Sequence, residues 1–186
     1  VAALLIAAYF VHGSSAKPTI QSTAAKKAPA TATVKQVNYH GLPVRLKIPA
    51  INVDAPVEYM GNTPAADMAA PNDVASVGWY KYGSIPGEEG GSVIDGHVVG
   101  LRGEAGVFYQ LDKLKKGDVL SVIDAKGQTA MFTVRETKTY DQSQQPTEVF
   151  NSSGGKHLNL ITCSGDWDAD HRQYLKRFVV FADITP

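Results

Sequence analysis

The chain has a single cysteine, Cys163, which closes the apolar run His157 to Cys163. An arginine, Arg177, opens the next apolar run, Phe178 to Phe181. A thiolate is a strong nucleophile, and a neighbouring cation is one of the few things that lowers a thiol's pKa. A thiol ending one strand and a cation starting the next have the types and order needed to attack a carbonyl. Such chemistry also needs a group that gives and takes protons, normally histidine.

Five histidines are present. His12 and His40 lie in or beside a polar tail and are poor candidates. His157 shares a strand with Cys163 but stands six residues away, roughly 20 Å at the rise of an extended chain. His171 falls in the segment between the two apolar runs and stays in consideration. His97 ends the run Gly91 to His97, and Gly96 beside it lets the chain turn sharply. A histidine leaving a buried strand at a glycine is held rigidly and still reaches a cleft. Taken singly, His97 reads as structural and Cys163 as an inert packed thiol.

The elements that must position these groups are short apolar runs cut by turn residues. Val44 to Ile48 alternates apolar with charged, the period of a half-buried strand. Further strands are expected over Ser92–Asp95, Val119–Ile123, Met131–Thr139, Leu158–Cys163 and Phe178–Ile184. One short helix is expected within Leu101–Leu114. Frequent prolines between Pro49 and Pro86 exclude long helices there. Several short strands at this spacing point to an all-β barrel or sandwich. Strand parity puts Leu158, Leu160 and Thr162 on one face and Asn159, Ile161 and Cys163 on the other. Antiparallel pairing of the last two strands would bring Cys163 and Arg177 to one end, joined by a polar loop from Ser164 to Lys176.

The 186 residues suffice for one domain and a tail. Eighteen basic residues balance eighteen acidic ones, so the chain lacks the basic excess of a nucleic-acid binder. One cysteine excludes a disulfide framework within the chain and an all-cysteine metal site. Asp166, Asp168 and Asp170 begin like an EF-hand loop. The pattern then fails, with His171 at the glycine position and Arg177 at the position of the bidentate acid, so no metal site is expected.

Val1 to Val11 is apolar without a break but shorter than the roughly 20 residues a bilayer demands. Residues 1–12 read as the outer part of a transmembrane anchor, with a cleaved signal ending near Ser14-Ser15-Ala16 as the competitor. Residues 13–40 are rich in alanine, threonine, serine, lysine and proline. They bury too little to offset the entropy of ordering, and a flexible stalk is expected. The folded domain is expected over 41–186, outside the cytoplasm.

Combined, Leu160-Ile161-Thr162-Cys163, an arginine leading the following strand, and an upstream Asp95-Gly96-His97 resemble the sortase family. Arg45 to Ile51 with Ala55-Pro56-Val57 looks like that family's opening strands. Gly78-Trp79-Tyr80, Pro86-Gly87 and Gly91-Ser92 fit the approach to the histidine. The resemblance covers about Leu42 to Ile184, and Asn159 departs from it where many sortases carry threonine. It implies a closed β-barrel of about eight strands with one or two short helices, and a membrane-anchored, extracellular cysteine transpeptidase of the smaller classes, D, E or F. It favours the anchor over the cleaved signal.

In that reading Cys163 is the nucleophile, His97 the proton donor and acceptor, and Arg177 the oxyanion and substrate holder, with Arg172 as the competitor for the arginine role. Thr162 and Trp167 are expected to contact substrate beside Arg177. The expected partners are LPXTG-like sorting signals and an amine acceptor such as a cell-wall precursor, with no cofactor. Two other readings are a cysteine L,D-transpeptidase, whose Ser-x-Gly-Cys order Thr162-Cys163-Ser164-Gly165 does not match, and a tethered, non-catalytic binding barrel.

Overall fold

The computed structural model describes residues 41–144 and 146–186. The expected anchor and stalk, with His12 and His40, lie outside the described residues. Eight strands form a closed barrel: β1 (Pro43–Ile48), β2 (Val53–Met60), β3 (Val77–Tyr80), β4 (Gly90–Gly96), β5 (Val119–Asp124), β6 (Thr129–Asp141), β7 (Lys156–Asp168) and β8 (Gln173–Ile184). Around the barrel they run β1-β2-β3-β4-β7-β8-β6-β5. All six strand positions expected from alternation and turn residues are present, and the opening motifs supply β2 and β3.

Closure follows from alternation. The inward residues Leu46, Ile48, Trp79, Ile94, Phe132, Leu158, Leu160 and Val180 are buried in one core. Each large aliphatic or aromatic side chain so buried contributes about 1.5–3 kcal/mol. The outward side of β4, β7 and β8 is covered as well. Val93, Val149, Val179 and Phe181 form a second buried cluster under α1 (Thr147–Phe150). Asn159 anchors this cover, its Nδ2 donating to the Val149 carbonyl at 2.7 Å. The asparagine that departs from the family pattern thus works as a tie beneath the helix.

Two local expectations are adjusted. The short helix expected within Leu101–Leu114 is the three-residue 3-10 helix Leu111–Lys113 and not an α-helix, after a tight excursion closed by the Val99–Ala105 bridge. Gly103 and Gly106 weaken helix formation, while Phe108 and Leu111 are drawn singly into the core. Nor is Ser164–Lys176 a polar loop. β7 and β8 continue pairing through Trp167–Tyr174 and Asp168–Gln173, past an irregularity between Ser164 and Trp167. Gly165, at φ +74, takes the left-handed conformation this bulge requires. The Trp167 and Tyr174 rings, 5.1 Å apart and edge to face, hold the extension together.

Candidate active site

Cys163 and Arg177 are direct cross-strand partners in the antiparallel β7–β8 pair. Parity places both on the outward face, with Ile161 and Val179. On the other side of β7, β4 runs parallel with Asp95 opposite Ile161, so β4 ends beside Cys163 and delivers His97 there. The buried Thr162 fixes that meeting, its hydroxyl donating to the Gly96 carbonyl at 2.7 Å. At 3% exposure Thr162 has almost no surface to offer a substrate. What the structure shows for Thr162 is a tie between the strand carrying Cys163 and the turn carrying His97.

That turn tolerates little change. A Cβ on Gly96 would lie 2.5 Å from the Phe108 ring, and one on Gly106 only 2.2 Å from the His97 carbonyl oxygen. Phe108 N–H donates to the His97 carbonyl and Gly106 N–H to the Val98 carbonyl, both at 2.9 Å. Gly106→Ala therefore has to push the His97 backbone aside. The expected result is a loss of roughly 2–3 kcal/mol in urea unfolding, as for overpacked positions, together with reduced turnover. Wild-type stability in this variant would mean that the turn is loosely held.

The His97 ring is oriented through Nε2, 2.8 Å from the Pro71 carbonyl oxygen. A carbonyl only accepts, so Nε2 carries a proton and Nδ1 is left to exchange one. Arg177 is anchored through Nη1, which donates to the Tyr174 and Lys176 carbonyls at 3.0 Å each. Its Nε and Nη2 donors remain for an incoming oxygen.

These groups line one cavity of about 470 Å³. His97 to Leu101 form one wall, and Cys163, Trp167, Arg172 to Tyr174 and Arg177 form the other. Trp167, 53% exposed, stands at the rim against Tyr174, where it was expected to line a groove. Arg172 reaches the same cavity from the hairpin turn with φ 54, whereas Arg177 is the arginine in register with the sulfur. His171 is elsewhere: it is largely exposed and paired with Asp168 at 2.7 Å. Asp168 also accepts from the N–H groups of Asp170 and His171, so its oxygens close a turn. His157 pairs with Asp183, six residues down β7 from the thiol. Sequence reasoning missed Tyr174 and Leu101, which only folding brings to the cavity, and the Pro71 carbonyl, which holds the His97 ring.

Electrostatics corrects one further expectation. Arg177 does favour the thiolate, but burial outweighs it and pushes the Cys163 thiol up, with the Asp95 charge acting in the same direction as burial. The resting group is therefore a thiol at neutral pH. The Asp95 carboxyl is itself pushed up to about 6, chiefly by burial, against the Gly96 N–H and the charges of His97 and Arg177.

A family model of the sortase domain matches residues 46–185. Among solved structures, sortase C from Clostridium perfringens SM101 is 24% identical, with 80% of this chain and 72% of that one covered and a TM-score of 0.58. Sortase C-1 from Actinomyces oris is 27% identical, with 77% and 75% covered and a TM-score of 0.59. Listeria monocytogenes sortase A is 23% identical, with 78% and 88% covered and a TM-score of 0.59. No curated protein matches the chain in sequence. With the matched region spanning nearly the whole barrel and the thiol, imidazole and guanidinium around one cavity, the chain belongs to the sortase family of cysteine transpeptidases.

Proposed function

We propose that the chain cleaves an LPXTG-like sorting signal between threonine and glycine and joins the acyl product to a cell-wall amine. The observation that carries this reading is the placement of Cys163, His97 and Arg177 around one cavity. In the first half-reaction the Cys163 proton passes to His97, and the sulfur attacks the threonine carbonyl. Arg177 Nε and Nη2 stabilise the oxyanion, an effect on the order of 3 kcal/mol for a single donor. As the C–N bond breaks, His97 protonates the departing glycine amine and a thioacyl enzyme remains. In the second half-reaction an amine attacks the thioester, His97 accepts its proton, and the thiol is restored.

Because the thiol is pushed up, the reacting thiolate–imidazolium pair is a minor form of the resting enzyme. The domain would work outside the cell on a single-pass membrane anchor, a reading supported by the apolar run Val1 to Val11 and by family membership. Among the described residues no helix is long and apolar enough to cross a membrane.

Arg177→Lys tests the electrostatic half of the reading. A compact ammonium cannot keep two carbonyl bonds and also present a planar donor pair. Turnover of a sorting peptide is expected to fall about 100-fold, in line with loss of one oxyanion donor. Wild-type turnover, or a larger loss in Arg172→Lys, would transfer the role to Arg172 or remove it.

Substrate choice is tested by a panel of LPXTG-like and LAXTG-like peptides offered with varied amines. Cleavage between threonine and glycine, with the amine appearing in the product, is the expected result. Cleavage elsewhere, or none of any peptide, would overturn the assignment of the sorting signal.

A further inference from the structure

The geometry assigns Asp95 as a positioning residue of the transpeptidation, its carboxylate acting on Cys163 and on the two side chains, His97 and Arg177, that flank it. The inference rests on the reading of Cys163 as nucleophile, and it concerns a group to which the three-residue mechanism gives no task.

The placement follows from three strands. On β4, Ser92 and Ile94 are buried on the inward side, while Val93 joins the outward cluster. Asp95 shares the parity of Val93 and so lies on the outward face. There it is level with Ile161 of the parallel neighbour β7, two residues before Cys163 on the same face. Arg177 on β8 faces Cys163 from the next strand, and His97 follows Asp95 by two residues.

The remaining neighbours offer Asp95 little competition. On β3 its partner is Gly78, which brings no side chain. A Cβ there would meet Met60 at 2.5 Å and Pro71 at 3.2 Å, so this flank is closed by apolar groups. Beyond Arg177, β6 contributes Tyr140, whose phenol donates to Glu148. The charged or titratable groups around Asp95 are thus His97, Cys163 and Arg177, then Tyr140 with Glu148 beyond Arg177 and, on the other flank, Glu58 of β2 level with Gly78, which accepts from the Asn72 and Asp73 N–H groups.

A carboxylate so placed does two things. It pairs electrostatically with the Arg177 guanidinium that faces the sulfur, and it disfavours an anion on the adjacent sulfur. The second effect keeps Cys163 a thiol until substrate and imidazolium are both in place. The cost is a desolvated acid. Its pKa stands near 6 against an ordinary 3.8, so the stability held with the proton on below the ordinary value is lost as pH rises through 6. A carboxylate with a merely structural role would stabilise the fold at neutral pH; this one destabilises it.

The test is the pH dependence of Cys163 alkylation by iodoacetamide, with peptide cleavage and thermal unfolding measured on the same samples. In Asp95→Asn the midpoint of alkylation is expected to fall by about one pH unit, as for loss of one nearby charge. Alkylation below the midpoint is then about tenfold faster, while peptide cleavage is about tenfold slower because Arg177 loses its neighbouring carboxylate. The variant is also expected to melt higher than wild type at pH 7. Damage to the fold would slow cleavage without moving the thiol midpoint downward and would lower the melting temperature.

An unchanged alkylation midpoint overturns the proposal, as does a variant in which alkylation and cleavage both slow. Should Asp95→Asn not give a cooperative melt, the unmutated enzyme decides. Its alkylation profile shows a second inflection near pH 6 if the carboxylate acts on the sulfur, and a single smooth ionisation overturns the proposal. Alkylation needs no sorting peptide, so failure of the proposed substrate assignment leaves this result readable.

Discussion

Cys163→Ala is expected to reduce cleavage of a sorting peptide by on the order of 10⁴-fold or more, the scale seen when a covalent nucleophile is removed. The thiol is partly buried at the cavity wall, and its replacement removes one heavy atom. Stability should therefore change by no more than about 1 kcal/mol. This separation of activity from stability is the informative part. A packed, inert thiol would show the reverse, with peptide turnover intact and unfolding measurably shifted. Peptide cleavage and urea unfolding of the same preparation distinguish the two. Substantial residual turnover would remove the sulfur from the reaction.

His97→Ala is expected to reduce cleavage by about 10³-fold, within the range for a positioned general acid and base. The ring also donates to the Pro71 carbonyl, so its loss should destabilise the fold by about 1 kcal/mol. The control is His171→Ala. His171 is paired with Asp168 in the hairpin turn and is absent from the cavity lining, so near wild-type turnover is expected. If His171→Ala proves the damaging change, the proton-transfer role belongs to the hairpin and not to the turn after β4.

The legible parts of this chain were those governed by local rules. The alternation in Val44–Ile48 and the apolar run Leu158–Cys163 marked strands, and both are strands of the barrel, the first burying Leu46 and Ile48 but leaving Val44 exposed, the second buried on both faces. Family membership was readable because Thr162-Cys163, Arg177 and Asp95-Gly96-His97 lie in a characteristic order. What escaped was set by tertiary context. Leu101–Leu114 has the apolar content of a helix, yet Phe108 and Leu111 are pulled inward one at a time. The polarity of Ser164–Lys176 suggested a loop, whereas a bulge at Gly165 and the Trp167–Tyr174 pair carry the hairpin onward.

The structural task of Thr162 was hidden for a related reason. Being next to the nucleophile in sequence puts a residue on the opposite face of a strand, and there Thr162 holds the Gly96 carbonyl. The thiol's ionisation was also beyond local reasoning. The cation was visible, but the burial that outweighs it is set by the folded structure and not by the residues beside Cys163 in sequence. Asp95 was part of the recognised motif without a task, because its proximity to Cys163 arises from the parallel β4–β7 register.

The central claim, that the Cys163 sulfur carries the acyl group, is tested most directly by intact-mass measurement after mixing the enzyme with an LPXTG-like peptide and no amine acceptor. The account predicts a gain equal to the acyl fragment ending in threonine. Peptide mapping should place it on Cys163, and adding an amine should release it. Cleavage of the peptide with no mass gain under rapid quench, or an adduct on any other residue, would contradict it.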